Sequence, residues 1–170
     1  NSTGVYAGVV AQGNGNTADT SNINATFARG ITLTDSDGVA YFETLVPGHY
    51  TGRANHIHIM ATINATVLAN NTLSGGSISH VGQVFFDQDL LTTVEATSPY
   101  SSNTQNQTQN KDDSILGEET VSMDPFLNYV LLGSDVSEGV LGWISIGIDP
   151  SKEYNITSAA SWTQNGGVAN

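Results

Sequence analysis

The sequence predicts a mainly β fold: an antiparallel β-sandwich core with long loops and little helix. Helical periodicity is weak along nearly the whole chain, and the apolar segments are short and rich in Ile, Thr and Val. Stretches rich in Gly, Asn and Ser separate these segments, as expected for turns and loops. The length of 170 residues and the 38% of hydrophobic residues fit a single domain, residues 1–170, with a real core.

Three strands are predicted in the first half of the chain. Residues 39–45 alternate between two sets of side chains and follow a turn at residues 35–38, which is typical of a strand. Residues 54–67 are rich in Ile, Thr and Val and predict a longer strand. Residues 80–86 predict a third strand.

One short helix and a late hairpin complete the predicted elements. Asp87 is an acidic residue in a capping position, and it predicts a helix that continues to Glu95. Residues 127–132 and 140–148 predict two strands of one hairpin. The stretches predicted as loops are residues 12–24, 98–113 and 158–170.

The charge and the composition exclude several classes of protein. Four Lys and Arg residues stand against 16 Asp and Glu residues, and the net charge of −12 repels nucleic acid and anionic membranes. The chain has no cysteine, which excludes disulfide scaffolds, thiolate metal sites and cysteine nucleophiles. No apolar run approaches the roughly 20 residues that span a bilayer.

Six N-x-[ST] sequons are more than we expect by chance, although the chain is rich in Asn, Ser and Thr. They favour a secreted, extracellular protein that carries N-linked glycans. The acceptor residues of these sequons are Asn1, Asn24, Asn64, Asn70, Asn106 and Asn155.

The residues with the clearest chemistry are His56 and His58. At this spacing on a strand both imidazoles lie on one face, where they could bind one metal ion or simply be polar residues of a half-exposed sheet. The chain has only four histidines, too few for a copper–zinc superoxide dismutase, and no Glu follows the motif as in cupins. A carboxylate from Glu43 or Asp87, or a third imidazole from His80, would complete more ordinary sites.

Tyrosine is the stronger candidate for the remaining ligands. Tyr50 lies six residues before His56, and Tyr6 lies in a glycine-flanked segment. Phenolate is a hard anionic ligand that suits ferric iron, although most tyrosines are core or rim residues. Arg53 could stabilise an anionic substrate at such a site or form a surface ion pair.

An ordered set of short motifs runs from the first tyrosine to the strand after the histidines. Its parts are Gly4-Val5-Tyr6, Arg29-Gly30, Thr34-Asp35, Asp37-Gly38, Phe42-Glu43-Thr44, Pro47-Gly48-His49-Tyr50, Gly52-Arg53, His56-Ile57-His58 and Gly82-Gln83-Val84-Phe85-Phe86. Together they resemble the intradiol ring-cleavage dioxygenases, and most closely the secreted, fungal-type branch. The resemblance covers most of residues 1 to about 150 and is far more specific than the two histidines alone.

The resemblance implies a non-haem Fe(III) held by Tyr6, Tyr50, His56 and His58. Such a site takes a catechol and O₂ and cleaves the ring between the two hydroxyl-bearing carbons, which gives muconate-type diacids. Tyr50 would be the ligand that catechol displaces and Tyr6 the one retained. Arg53 and Gln83 would stabilise negative charge on the ring and on the oxygenated intermediate.

Two other interpretations stay open on the sequence. Members of this family carry a strand before the first tyrosinate, whereas this chain begins five residues ahead of Tyr6, so we expect an upstream segment of the domain to be missing. The first alternative is therefore a secreted, glycosylated β-sandwich relative that binds metal or aromatics without turnover. The second is zinc hydrolase or hydratase chemistry on His56, His58 and His80.

Overall fold

The computed structural model describes residues 1–8, 24–158, 160–164 and 166–169. Within them strand residues outnumber helical ones and every strand pairing is antiparallel, which confirms the mainly β fold with little helix. The strands are β1 (His56–Ile63), β2 (Thr66–Val67), β3 (Leu73–Ser74), β4 (Ser77–Phe85), β5 (Asn128–Leu131), β6 (Val140–Trp143), β7 (Ala160–Thr163) and β8 (Gly166–Ala169). The helices are α1 (Gln88–Glu95) and α2 (Ser114–Glu119), and short 3₁₀ turns lie at Tyr100–Ser102, Asn110–Asp112 and Val136–Glu138.

The longest sheet of the described residues pairs β1 with β4. His56 lies opposite Phe85 and His58 opposite Gln83, and the register shifts once, between Ala61 and Thr62. Because opposite residues of an antiparallel pair share a face, this register places His56, His58 and Gln83 on the same side of the sheet. β2 pairs with β3, β5 with β6 and β7 with β8, each as a two-stranded sheet.

Two apolar clusters hold these elements together. In the first, α1 buries Leu90, Leu91 and Val94 against Phe86, with partly buried side chains from the β5–β6 hairpin around them. The Asp87 side chain accepts hydrogen bonds from the N–H groups of the first turn of α1, which is the cap predicted from the sequence. None of the helices in the described ranges is long and apolar enough to cross a bilayer.

The second cluster contains Phe85, which lies beside His56 on the same face of the sheet. Phe85 is fully buried between Ala54 and Leu116, with Phe126 packed against the group. The backbone of Phe85 donates to the carbonyl of Pro125 and accepts from the N–H of Leu127, so the chain before β5 is attached to the end of β4. The Phe85 ring also contacts the imidazole of His56, with the ring centroids 5.6 Å apart.

The prediction of a strand at residues 39–45 is wrong. The turn before it is present, since the N–H of Gly38 donates to the carbonyl of Asp35 and Gly38 has a φ of +79°. The segment after the turn is not a strand, and its apolar side chains are more than half exposed at Val39, Tyr41 and Phe42. Alternation marks two faces, but a strand also needs a neighbour, and no described segment pairs with this one.

Three further boundaries differ from the sequence prediction. The strand predicted at residues 54–67 is split, because Asn64 adopts a φ of +58° after β1 and the chain resumes in β2. The strand predicted at residues 140–148 ends at Trp143. The strand predicted at residues 80–86 is confirmed as β4, which begins at Ser77.

Two of the predicted loops contain regular structure. Residues 98–113 include two 3₁₀ turns and the cap of α2, while most of residues 158–170 form the β7–β8 hairpin. Such elements cannot be recognised in a polar, glycine-rich segment, because short 3₁₀ turns and small hairpins form through backbone hydrogen bonds without a periodic pattern of apolar residues. The loop predicted at residues 12–24 lies outside the described residues except for Asn24.

The packing around Phe85 predicts a large cost for its removal. Phe85→Ala should lower the free energy of unfolding by about 3–5 kcal/mol, because the side chain is fully buried and its removal leaves a cavity beside His56. Phe42→Ala makes the same substitution at a side chain that is 56% exposed, and it should change the free energy of unfolding by no more than about 0.5 kcal/mol. Urea unfolding of both variants measures this, and equal losses would contradict the packing.

Candidate metal centre

His56 and His58 direct their imidazoles toward a common point. Their Nε2 atoms are 3.2 Å apart and their ring centroids 4.9 Å apart, as the i, i+2 spacing on a strand predicts. Two ligands that are each about 2.1 Å from one ion cannot be more than about 4.2 Å apart, so this separation suits two ligands of a single metal. His56 is buried, whereas His58 lies on the solvent side.

The protonation of His56 is set by its surroundings. Its Nδ1–H donates to the carbonyl of Ala54 at 2.6 Å, because a carbonyl can only accept. Burial, opposed by this hydrogen bond and assisted by the charge of Arg53, lowers the pKa of His56 to about 4. At neutral pH the ring is therefore uncharged, and the lone pair of Nε2 points toward His58, as a metal ligand requires.

Tyr50 and Tyr6 continue the row of rings that begins with the histidines. The ring centroid of Tyr50 is 5.9 Å from His56 and 6.0 Å from Tyr6, in edge-to-face contacts. Burial, together with the charge of Tyr6 and a hydrogen bond to it, raises the pKa of Tyr50 above its usual value. A cation at bonding distance acts in the opposite direction and favours the phenolate.

Two glycines allow the N-terminal segment to place Tyr6 beside Tyr50. A Cβ at Gly48 would collide with the carbonyl of Ser2, and a Cβ at Gly4 with the carbonyl of His49. Gly4 has a φ of +71°, which favours glycine for a second reason. The N–H of Gly48 also donates to the carbonyl of Asn1 at 3.0 Å, so the two segments run in direct backbone contact.

Arg53 and Gln83 meet beside the histidines. The Nη2 of Arg53 donates to Oε1 of Gln83 at 2.6 Å, and Gln83 is the β4 partner of His58. The amide nitrogen of Gln83 donates in turn to Glu119 at the end of α2, at 3.4 Å. Both side chains therefore lie beside the histidines, and neither has to be a metal ligand to be there.

Asp113 is a residue of this site that the sequence analysis missed, as it missed Glu119. Its Oδ2 accepts from Nε of Arg53 at 2.9 Å and from the N–H of Ala54 at 2.7 Å. Burial alone would raise the pKa of Asp113, but hydrogen bonds from the N–H groups of Leu116 and Ala54 and the Arg53 guanidinium hold it below its usual value. Asp113 directly precedes α2 and caps it. An acidic residue in this position predicts the start of a helix, and that was the one signal in the sequence that pointed to Asp113.

The alternative metal sites, which use a third imidazole or a carboxylate beside His56 and His58, find no support in the described residues. Across residues 1–8, 24–158, 160–164 and 166–169, no three His, Asp or Glu side chains gather where they could hold a metal ion. His80 lies three positions before Gln83 on β4 and therefore on the opposite face from His58. The three-imidazole alternative and a triad completed by Glu43 or Asp87 are wrong on this geometry.

The chemistry of the donors fits ferric iron better than these alternatives. Two uncharged imidazoles and two phenols that could ionise form one row of contacting rings. Two phenolates would balance two of the three charges of Fe(III), whereas the sequence has no cysteine and the part of the chain that the structure describes has no carboxylate trio. The residues present therefore fit the group that the sequence resemblance implies.

The comparisons with known proteins lead to the family that the sequence motifs resemble. An intradiol ring-cleavage dioxygenase from Tetranychus urticae is 28% identical and superposes with a TM-score of 0.59, over 72% of this chain and 53% of that chain. This chain is similar in fold and sequence to intradiol ring-cleavage dioxygenases. A second solved dioxygenase structure gives a TM-score of 0.58 with the same identity and coverage.

The resemblance predicted from the sequence is confirmed at the level of the intradiol dioxygenases, and the fungal-type branch stays a prediction. No protein-family model matches the chain, and no curated protein matches it significantly. The matched region spans about half, 53%, of the solved intradiol dioxygenase.

Metal binding should depend on His58 and not on His80. His58→Ala removes one of the two converging Nε2 atoms and should weaken Fe(III) binding by more than about tenfold. Even the removal of a group that only hydrogen-bonds to a metal ligand lowers metal affinity by that factor. His80→Ala removes an imidazole from the other face of the same sheet and should leave iron binding unchanged. Iron content after reconstitution and dialysis measures both variants. An equal loss of iron in the two would contradict the site.

Proposed function

We propose that this chain is an intradiol ring-cleavage dioxygenase that cleaves catechol-type aromatics between the two hydroxyl-bearing carbons, with O₂ as co-substrate and muconate-type diacids as products. The observation that carries the proposal is the row of Tyr6, Tyr50, His56 and His58 rings, with Arg53 and Gln83 beside it. The similarity to solved intradiol dioxygenases supports the reaction class.

Tyr6, Tyr50, His56 and His58 would hold the Fe(III). When bound, ferric iron would supply the Lewis acidity and the redox capacity that make a catecholate reactive toward O₂. His56 is prepared for this task because its Nδ1–H is fixed on the carbonyl of Ala54, which leaves Nε2 as the donor atom. His58 takes the solvent side of the pair, where a substrate can approach.

Tyr50 is the side chain suited to take up a proton from the substrate. A catechol must lose its hydroxyl protons to bind as a dianion, and a phenolate oxygen is a base of matching strength. Burial and the neighbouring Tyr6 favour the protonated phenol, so Tyr50 holds the proton readily once its oxygen is free. Tyr6, with its hydrogen bond to Tyr50, would stay in place as the retained ligand.

Arg53 and Gln83 provide the charge stabilisation. The guanidinium of Arg53 supplies a fixed positive charge, and its hydrogen bond to Gln83 keeps both side chains on the face of the histidines. Groups held in place before the reaction stabilise developing negative charge without having to reorganise. The pairing of Gln83 with His58, and the hydrogen bond from Arg53 to Gln83, support this role.

The decisive experiment is oxygen uptake by the iron-loaded chain on addition of catechol, with identification of the diacid product. Tyr50→Phe keeps the ring and removes the oxygen, so it should lower turnover by at least about 100-fold. Tyr41→Phe makes the same change at a tyrosine that is 69% exposed and should leave turnover unaltered. Bound iron and bound catechol without oxygen uptake in the unaltered protein would favour the non-catalytic relative instead.

We further propose that the protein is secreted and carries N-linked glycan at Asn64, Asn70 or Asn106, which are all exposed. Asn1 is a poorer acceptor, because it is only partly exposed.

Protein made in a glycosylating secretory pathway should lose mass on enzymatic deglycosylation. The test at one position compares Asn70→Gln, which removes a sequon, with Asn71→Gln, which leaves that sequon intact beside it. Only the first should lower the glycan mass if Asn70 is used. A native protein with no glycan at any sequon would overturn the proposal.

A further inference from the structure

One buried carboxylate connects the site to the helix behind it. Asp113 is 3% exposed, and each of its two oxygens accepts two hydrogen bonds. Oδ1 accepts from the N–H groups of Ile115 and Leu116 at 2.9 and 3.0 Å and so caps α2. Oδ2 accepts from the N–H of Ala54 and from Nε of Arg53. The carboxylate is fully satisfied, which makes its position well defined.

The consequence of this contact is a fixed guanidinium. A guanidinium is planar, so holding its Nε on Asp113 and its Nη2 on Gln83 fixes both the position and the orientation of the plane. Without Asp113, the long side chain of Arg53 would be free to turn toward another carboxylate. The carboxylate of Glu119 is available nearby, because it accepts a hydrogen bond from the same Gln83 side chain. Arg53 would then leave the face that it shares with His58.

We propose that Asp113 is a positioning residue that acts through Arg53: it holds the guanidinium against Gln83 on the substrate face of the site. The role in turnover rests on the proposed dioxygenase function, whereas the coupling of the two side chains does not. Asp113 lies 60 positions from Arg53 in the sequence, so this tertiary contact is needed to assign the role.

The variant Asp113→Asn separates this role from helix capping. Asparagine caps helices about as well as aspartate, so the hydrogen bonds to α2 survive. With the asparagine oxygen kept on α2, its NH₂ group would face Nε of Arg53 and the N–H of Ala54, and neither of these donors keeps its acceptor. Asp87→Asn is the matched control, because Asp87 caps α1 with the same pair of hydrogen bonds and is not paired with an arginine.

The coupling is measured first without any reaction. The chain has only two arginines, Arg29 and Arg53, so the Nε–H region of a ¹⁵N spectrum of the metal-free full chain holds two signals, and Arg53→Lys assigns them. The Arg53 signal should be shifted and slow to exchange in the unaltered protein and in Asp87→Asn, and it should lose both properties in Asp113→Asn. An unchanged Arg53 signal in Asp113→Asn would overturn the proposal.

Turnover is measured next, with a double-mutant cycle. Asp113→Asn should lower kcat for catechol by about 10- to 100-fold with a smaller change in KM and unchanged iron content. In an Arg53→Ala background the same substitution should change kcat by less than about twofold, because the group that it positions is already absent. An equal loss in both backgrounds, or an equal loss in Asp87→Asn, would show a structural role and overturn the proposal.

Two further results complete the test. If Asp113→Asn does not fold, Arg53→Lys examines the pair from the other side, since lysine keeps the charge without the planar fork. A kcat within about twofold of the unaltered protein would then contradict positioning through the guanidinium. If the unaltered iron-loaded chain does not cleave catechol, the proposed function fails, and the Arg53 signal still decides the coupling of Asp113 to Arg53.

Discussion

The register in which β1 pairs with β4 is the constraint on which the site depends. It places His58 opposite Gln83 and His56 opposite Phe85, so that one strand supplies the imidazoles and the other supplies both their polar neighbour and their apolar support. A slip of one residue would turn every side chain of β1 to the other face of the sheet. The register is secured by Phe85, which is fully buried beside His56. The core and the candidate site therefore share one determinant.

The other contributors reach the sheet by close contacts between segments that are far apart in the sequence. The N-terminal segment approaches Tyr50 only because Gly4 and Gly48 leave room for two backbones to touch. The buried charge of Asp113 is balanced by Arg53 and by backbone N–H groups, as a buried ion pair requires. In a chain with a net charge of −12, this pairing also keeps one of two arginines away from the other carboxylates.

Local patterns in the sequence predict the elements that local forces determine. The spacing of His56 and His58, the cap at Asp87 and the turn before Gly38 each depend on a few neighbouring residues, and each is present. The strand at residues 39–45 is wrong because alternation indicates two faces but says nothing about a partner strand. Asp113 and Glu119 could not be placed at the site, because only the packing of α2 against the buried Phe85 brings their carboxylates to Arg53 and Gln83. The capping position of Asp113 indicates the start of a helix, but nothing in the sequence indicates its contact with Arg53.

The central claim is that Tyr6 and Tyr50 complete the histidine pair as phenolate ligands of ferric iron. Resonance Raman spectroscopy of the iron-loaded chain tests it most directly, because excitation in a phenolate-to-iron charge-transfer band enhances the vibrations of the tyrosines that bind the metal. The account predicts a coloured protein with enhanced tyrosinate modes, reduced but not abolished in Tyr50→Phe and unaltered in Tyr41→Phe. A fully iron-loaded protein without tyrosinate modes would contradict it.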